Sequence, residues 1–376
     1  MMTKKKRKKI ILSTIFLLIN VVIVIFIARY FFKDASTNGI QQIFGSWAKH
    51  WYFVLFALLC PIIALFAESM KFFIMIGKRL KKHRLSVSIK TAIFGKYYDN
   101  VTPLGTGGQP FQIMYLYKYG ISGPDSSLMP VASFVMNQFA FVTIAITVFI
   151  TGSQFVTIQA LRISAYIGSF FMIAMPVVVL FFTLFPVISR KVSVGILIFL
   201  HRIKLVKDVD HRIQKIDYFI VRFKTSFKQM SQAKGVMLST FLLSLVYQVA
   251  MFSIPFFVIL ALGMNVSYLE MAILCVFIYS AIAYIPTPGN SGGAEFSFAL
   301  LFESIGLLYY EVFWSMLLWR FSSYFFIILI GLSTILFDTI YQHRHPINIP
   351  ERERHKVIYP VATLKDCEPL FPKTSI

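Results

Sequence analysis

The stretch Thr102-Pro103-Leu104-Gly105-Thr106-Gly107-Gly108-Gln109 returns 185 residues later as Thr287-Pro288-Gly289-Asn290-Ser291-Gly292-Gly293-Ala294-Glu295. Aligned without gaps, both read Thr-Pro-x-x-(Thr/Ser)-Gly-Gly. Proline carries no amide hydrogen and two adjacent glycines free the backbone, so a helix that reaches either stretch must stop and restart. Both stretches stand among long apolar runs. Interrupted backbone at membrane depth is tolerated only inside protein or along a wet cavity, since each unpaired amide in hydrocarbon costs several kcal/mol. The two breaks are therefore expected to line a cavity.

Working outward, apolar spans cover 10–32, 47–75, 127–151, 163–189, 235–263 and 312–337, each at or above the roughly 20 residues that cross a bilayer as a helix. The flanks of the breaks are shorter: 85–99 and 110–119 around the first, 268–285 and 295–302 around the second. The reading is an all-α integral membrane protein, a polytopic bundle of about six full spans plus two re-entrant broken-helix hairpins. Composition agrees. Of 376 residues, 57% are apolar or aromatic and 14% charged, against roughly 25% charged in ordinary soluble domains, and the mean hydropathy is +0.72. A soluble enzyme, a secreted disulfide scaffold and a nucleic-acid binder are excluded despite a net charge of +21. Cys60, Cys275 and Cys367 lie too far apart to suggest a metal motif.

Basic residues are retained on the cytoplasmic side of a span. They concentrate in 4–9, in 78–84 and in 190–234, the last with eleven Lys/Arg against three Asp. Both termini are thus expected to be cytoplasmic, with the chain in the cell membrane. The first hairpin then enters from inside and the second from outside. The halves, about 47–151 and 235–337, form an inverted-topology repeat, the pattern in which broken helices meet near the midplane and present amide-bearing N-termini to anions. Lys90 and Lys96 would sit most cheaply in a first hairpin lying shallow. The mixed apolar and basic segment 192–234 reads as one amphipathic helix, lying along the inner membrane face or packing on the bundle. Its Asp208-Val209-Asp210 imitates a glycosyltransferase motif without the soluble domain such chemistry needs. Residues 1–9 read as a basic cytoplasmic N-terminus, 10–340 as the transmembrane domain, and 341–376 as a cytoplasmic tail that turns polar from Asp338 onward.

Charges inside a bilayer need a partner or a task. Glu68, Glu295 and Arg320 are the candidates. Two accounts of the last two stand side by side: a mutual ion pair, or Arg320 holding a lipid phosphate while Glu295 caps the following half-helix or receives a cationic headgroup. Glu68, close to Lys71, reads as a local ion pair. Asn137 and Gln138 offer accessory polar contacts, or hydrogen bonds between helices. The candidate substrate-binding set is Thr102, Pro103, Thr106, Gly107, Gly108, Gln109, Asn290, Ser291, Gly292, Gly293, Glu295 and Arg320. In it the glycine amides hold the headgroup, assisted by the hydroxyls of Thr106 and Ser291. The chain has no Walker loop and no HExxH motif. No cofactor, metal or catalytic residue is expected.

At these residues the chain resembles the lysylphosphatidylglycerol synthase transmembrane region, a flippase-like domain. The resemblance rests on the first Thr-Pro/Gly-Gly element, the second with its glutamate, and an arginine in the final span, and it covers roughly 10–340. It implies a flippase for an anionic or aminoacylated phospholipid, or for a polyprenyl-phosphate-linked lipid. The family's aminoacyl-transfer domain is absent from this sequence, so the lysyltransferase activity behind the family name, and its link to cationic-peptide resistance, are not carried over. Gln109 stands where an acidic residue is common in the family, which counts against a cationic-headgroup contact there. A membrane subunit serving a cytoplasmic transferase and a small-solute carrier are the other readings. The partners expected are a membrane lipid and, under the second reading, that transferase. No nucleic acid is expected, and a homo-oligomer stays open.

Overall fold

The computed structural model describes residues 37–80, 84–152, 156, 159–203, 209–283, 285, 287–304 and 306–344. The expected first span, the basic N-terminus and the tail beyond Arg344 lie outside them, as do Cys367 and Asp208. All regular structure among the described residues is helical. A short helix α1 (Thr37–Lys49) leads into α2 (Trp51–Leu80). The first broken unit follows as α3 (Leu85–Val101), a 3-10 turn at Pro103–Gly105 and α4 (Gly108–Lys118). Next come α5 (Gly123–Gly152), α6 (Gln159–Leu184), α7 (Pro186–Arg202), α8 (Val209–Gln232) and α9 (Lys234–Ala261). The second broken unit is α10 (Tyr268–Ile282), a 3-10 turn at Pro288–Asn290 and α11 (Gly293–Ser304). The chain ends in α12 (Tyr309–Arg320), a π-helical turn at Phe321–Phe325 and α13 (Phe326–Arg344).

Among the described residues, five helical stretches are long and apolar enough to cross a membrane: Trp51–Leu80, Gly123–Gly152, Gln159–Leu184, Lys234–Ala261 and Tyr310–Gln342. They fall on five of the six spans read from the sequence. By contrast α4 and α11, of 11 and 12 residues, reach only about 16–18 Å at 1.5 Å per residue, short of a roughly 30 Å hydrocarbon core. The first hairpin folds back on itself. Tyr98 stacks on Phe111 at 3.3 Å and Phe94 meets Tyr115 edge-on at 4.8 Å.

The two halves are related by inversion. At one end Phe53 and Phe56 of α2 touch Phe257 of α9, and further along Lys71 donates to Ser244 at 3.2 Å, so the two helices run antiparallel. The hairpins are exchanged between halves. Helix α3 packs antiparallel to α13, through Lys90 on Asp338 at 2.7 Å and Tyr97 against Gly331. Helix α10 packs antiparallel to α5, through Phe277 on Phe149 at 4.9 Å and Ile273 against Gly152. The 185-residue offset carries α3 onto α10 and α5 onto the last span, so each contact is the other's image. Small residues permit the closeness: a Cβ on Gly168 of α6 would lie 1.8 Å from the Ser280 carbonyl of α10.

Two expectations are corrected. Segment 192–234 is not one helix, since the apolar run of α7 continues from Pro186 and turns back into α8. The Arg190–Asp217 pair at 2.7 Å ties the two together, and α8 packs on α5, α6 and α9. Asp338 does not open the polar tail. It lies inside α13, 7% exposed, because Lys90 gives it a partner, and the helix runs on to Arg344.

Candidate functional site

The two 3-10 turns pack directly against each other. Their backbones share one left-handed position, while Gly107 at φ −81° and its counterpart Gly292 at φ 92° differ. Gly105 at φ 61° corresponds, 185 residues on, to Asn290 at φ 55°, and Gly289 at φ 58° completes a left-handed pair in the second turn. Tyr324 of the π-helical turn seals the junction. Its ring lies so close to Gly289 that a Cβ there would fall 2.1 Å from it, and its hydroxyl donates to the Asn100 carbonyl at 3.2 Å.

Each restarted helix is capped by a carboxylate of its own unit. In the first, the Gly108 amide donates to Asp99 Oδ1 at 2.8 Å and the Gly107 amide to Thr102 Oγ1 at 2.8 Å. In the second, the Gly292 amide donates to Glu295 Oε2 at 2.6 Å. Three of the four glycine amides expected to grip an anion, those of Gly107, Gly108 and Gly292, are thus taken by internal acceptors, which satisfies donors that hydrocarbon could not. Thr106 is exposed and donates back to the Pro103 carbonyl at 3.0 Å, while Ser291 is buried and its carbonyl accepts from Thr287 at 2.7 Å. Thr102, Pro103, Gly107, Gly108, Gly292 and Gly293 shape the breaks without lining the space beside them.

That space is a cavity of about 360 Å³ enclosed by both turns, α3, α5, α9, α10 and the Arg320 turn. Its volume falls within the range of small-molecule sites. Gln109, Asn137, Gln138, Asn290 and Arg320, all singled out from sequence, lie on its wall. So do Lys96, Asp99, Asn100, Tyr247, Gln248 and Tyr324, which sequence reasoning passed over. Lys96 carried a signal, a cation in an apolar hairpin, that was read as shallowness. Tyr247 and Gln248 gave none, being isolated polar residues in a span.

Arg320 is 6% exposed. Its Nε donates to Glu295 Oε1 at 2.5 Å and its Nη1 to the Gly289 carbonyl at 3.0 Å, while Nη2 is buried with no partner. The ion-pair account and the anion-holding account are compatible, since one face of the guanidinium is spent and the other is not. Lys96 Nζ lies 4.5 Å from the Tyr247 ring centroid. Glu68 sits apart from the wall. It pairs with Lys71 at 2.8 Å and accepts from Ser133 at 2.6 Å and Asn137 at 3.2 Å, while Lys71 donates to Asn137 at 2.8 Å. Glu68 is thus the local pair read from sequence, and Asn137 serves as an interhelical bridge. No group of three His, Cys, Asp or Glu able to hold a metal occurs among the described residues.

Fold and cavity together define an all-α polytopic membrane protein made of two inverted halves that meet at paired helix breaks. Comparison with known proteins narrows the class. The model of the lysylphosphatidylglycerol synthase TM region matches residues 16–331, and the chain belongs to that family. It is similar to a UPF0104 membrane protein of Archaeoglobus fulgidus, 23% identical over 65% of this chain and 76% of the relative. A UPF0104 membrane protein of Pyrococcus horikoshii is 23% identical over 68% of this chain and 78% of its own length. No solved structure matches the chain.

Proposed function

We propose that this protein moves an anionic lipid across the cytoplasmic membrane, with the headgroup in the cavity between the broken helices and the acyl chains in lipid. The observation that carries the reading is the buried, unpartnered Nη2 of Arg320 on the wall of a polar cavity inside an apolar bundle. A buried guanidinium N–H left without an acceptor is costly, and a phosphate oxygen would satisfy it by a charge-assisted bond. Lys96 supplies a second positive charge on the same wall. The inverted halves supply the framework for alternating access, in which one half rocks against the other about a fixed site. The capping carboxylates hold the breaks open without spending the side chains that face the ligand. The concentration of Lys and Arg in the connections 78–84 and 190–234 supports an orientation with both termini in the cytoplasm.

The test is lipid translocation in proteoliposomes. Wild type is compared with Arg320→Met/Glu295→Gln, which removes the buried pair as a unit and avoids an orphaned carboxylate. Movement of phosphatidylglycerol or of a polyprenyl phosphate by wild type, lost in the double variant, is the expected result. Folded wild-type protein that moves neither would overturn the reading.

A further inference from the structure

We infer that the headgroup this cavity accepts is a phosphate ester whose other substituent is uncharged and rich in hydroxyls, such as glycerol, inositol or a sugar, and that ammonium-bearing headgroups are discriminated against. The inference rests on the lipid-translocation reading and specifies its substrate.

Four carboxamides converge on the cavity from four places in the fold: Asn100 from the end of α3, Gln109 from the first turn of α4, Gln138 from α5 and Asn290 from the second 3-10 turn. None of these side chains has a hydrogen-bond partner among the described residues, although other half-buried amides nearby do. Asn137 has both ends engaged, and Gln248 donates to the Asn137 carbonyl at 3.3 Å. A carboxamide offers two donors and an acceptor, the complement of hydroxyls that both give and receive. Four unspent carboxamides beside a guanidinium nitrogen that has no partner describe a phosphate with hydroxyls around it. The cavity has room for about a dozen waters' worth of ligand at roughly 30 Å³ each.

An ammonium finds little there. Asp99 is the single carboxylate on a wall that also carries Lys96 and Arg320. One oxygen of Asp99 already accepts from Gly108. Glu295, behind the wall, has one oxygen on Arg320 and the other on Gly292. Three aromatic faces on the wall, the usual alternative seat for an organic cation, already have a cation over them. Lys96 and Lys71 lie 4.5 and 5.9 Å from the Tyr247 ring, and Arg320 lies 5.1 and 5.5 Å from Trp319 and Tyr324. A lysyl or ethanolamine group would enter beside two cations with one carboxylate oxygen to receive it.

The experiment reconstitutes the full chain in vesicles. It measures movement of phosphatidylglycerol, phosphatidylinositol and a hexosyl phosphopolyprenol against lysyl-phosphatidylglycerol and phosphatidylethanolamine. Hydroxylated headgroups should move at least about tenfold faster than either ammonium-bearing lipid, the ratio that one or two hydrogen bonds made or left unmade provide. Gln109→Glu places a carboxylate on the wall in the first turn of α4, where an acid suits the helix dipole. It should raise lysyl-phosphatidylglycerol movement relative to phosphatidylglycerol by about tenfold. Equal or faster movement of lysyl-phosphatidylglycerol by wild type would overturn the inference while the flippase reading stands. Folded protein that moves no lipid and takes up no glycerol 3-phosphate would overturn both. Uptake of glycerol 3-phosphate without lipid movement would overturn the lipid source and leave the ligand chemistry in place.

Discussion

Arg320 is held on two sides by its own fold and lines the cavity with a buried, unpartnered Nη2, so its removal has two separable consequences. Arg320→Ala leaves the Glu295 carboxylate buried without its cation and should cost about 3–5 kcal/mol of stability. Adding Glu295→Gln should restore most of that loss while lipid movement stays abolished. Thermal unfolding in detergent beside the vesicle assay checks both, and a double variant as unstable as the single would contradict the account. The sequence led readily to this pair, because two charges in apolar surroundings call for each other. It led less well to Lys96 and Asp99. A lysine near a predicted span end reads as interfacial, and only the packing of α3 on α13 reveals that it faces inward.

The broken helices depend on glycine for two different reasons, which separate experimentally. A Cβ on Gly108 would lie 2.3 Å from Asp99 Oδ1 and 2.5 Å from the Gly95 carbonyl oxygen, so it would collide with backbone that cannot step aside. Gly108→Ala should unfold the hairpin's contact and abolish yield of folded protein. At Gly292 nothing lies within 4 Å, but φ is 92°. Gly292→Ala should therefore cost roughly 1–3 kcal/mol through strain alone and leave a foldable protein. Gly123, with open space and no positive φ, is the control, and alanine there should be silent. Fluorescence size-exclusion profiles with melting curves rank the three. The existence of both breaks was legible from proline and glycine chemistry. How their amides would be satisfied was not, because Asp99 precedes its break whereas Glu295 follows its own, and no repeat in the sequence marks that difference.

Across the whole molecule, the inverted relation predicts which helices touch. In a variant lacking the three native cysteines, Tyr97→Cys/Gly331→Cys should form a disulfide on mild oxidation. The Cβ positions are 2.6 Å apart, so widening by about 1 Å reaches disulfide range. The link joins a hairpin of one half to the last helix of the other. It should slow lipid movement at least about tenfold if the halves must rock, with recovery on reduction. Unchanged movement in the fully cross-linked protein would rule out motion at that contact.

What the sequence alone determined was the class: length and spacing of apolar runs dictate helical spans, proline and paired glycines dictate where two of them break, and the 185-residue repeat dictates two halves. These are local properties, since backbone hydrogen bonding in hydrocarbon leaves a helix few alternatives. The tertiary structure decided which polar groups share the cavity and which are already spent. Asn100, Gln109, Gln138 and Asn290 lie far apart in the chain and converge only when the hairpins cross between halves. The amides of Gly107, Gly108 and Gly292, which looked free, were claimed by Thr102, Asp99 and Glu295. Whether a donor is available depends on what folds beside it, and spacing along a chain does not record that.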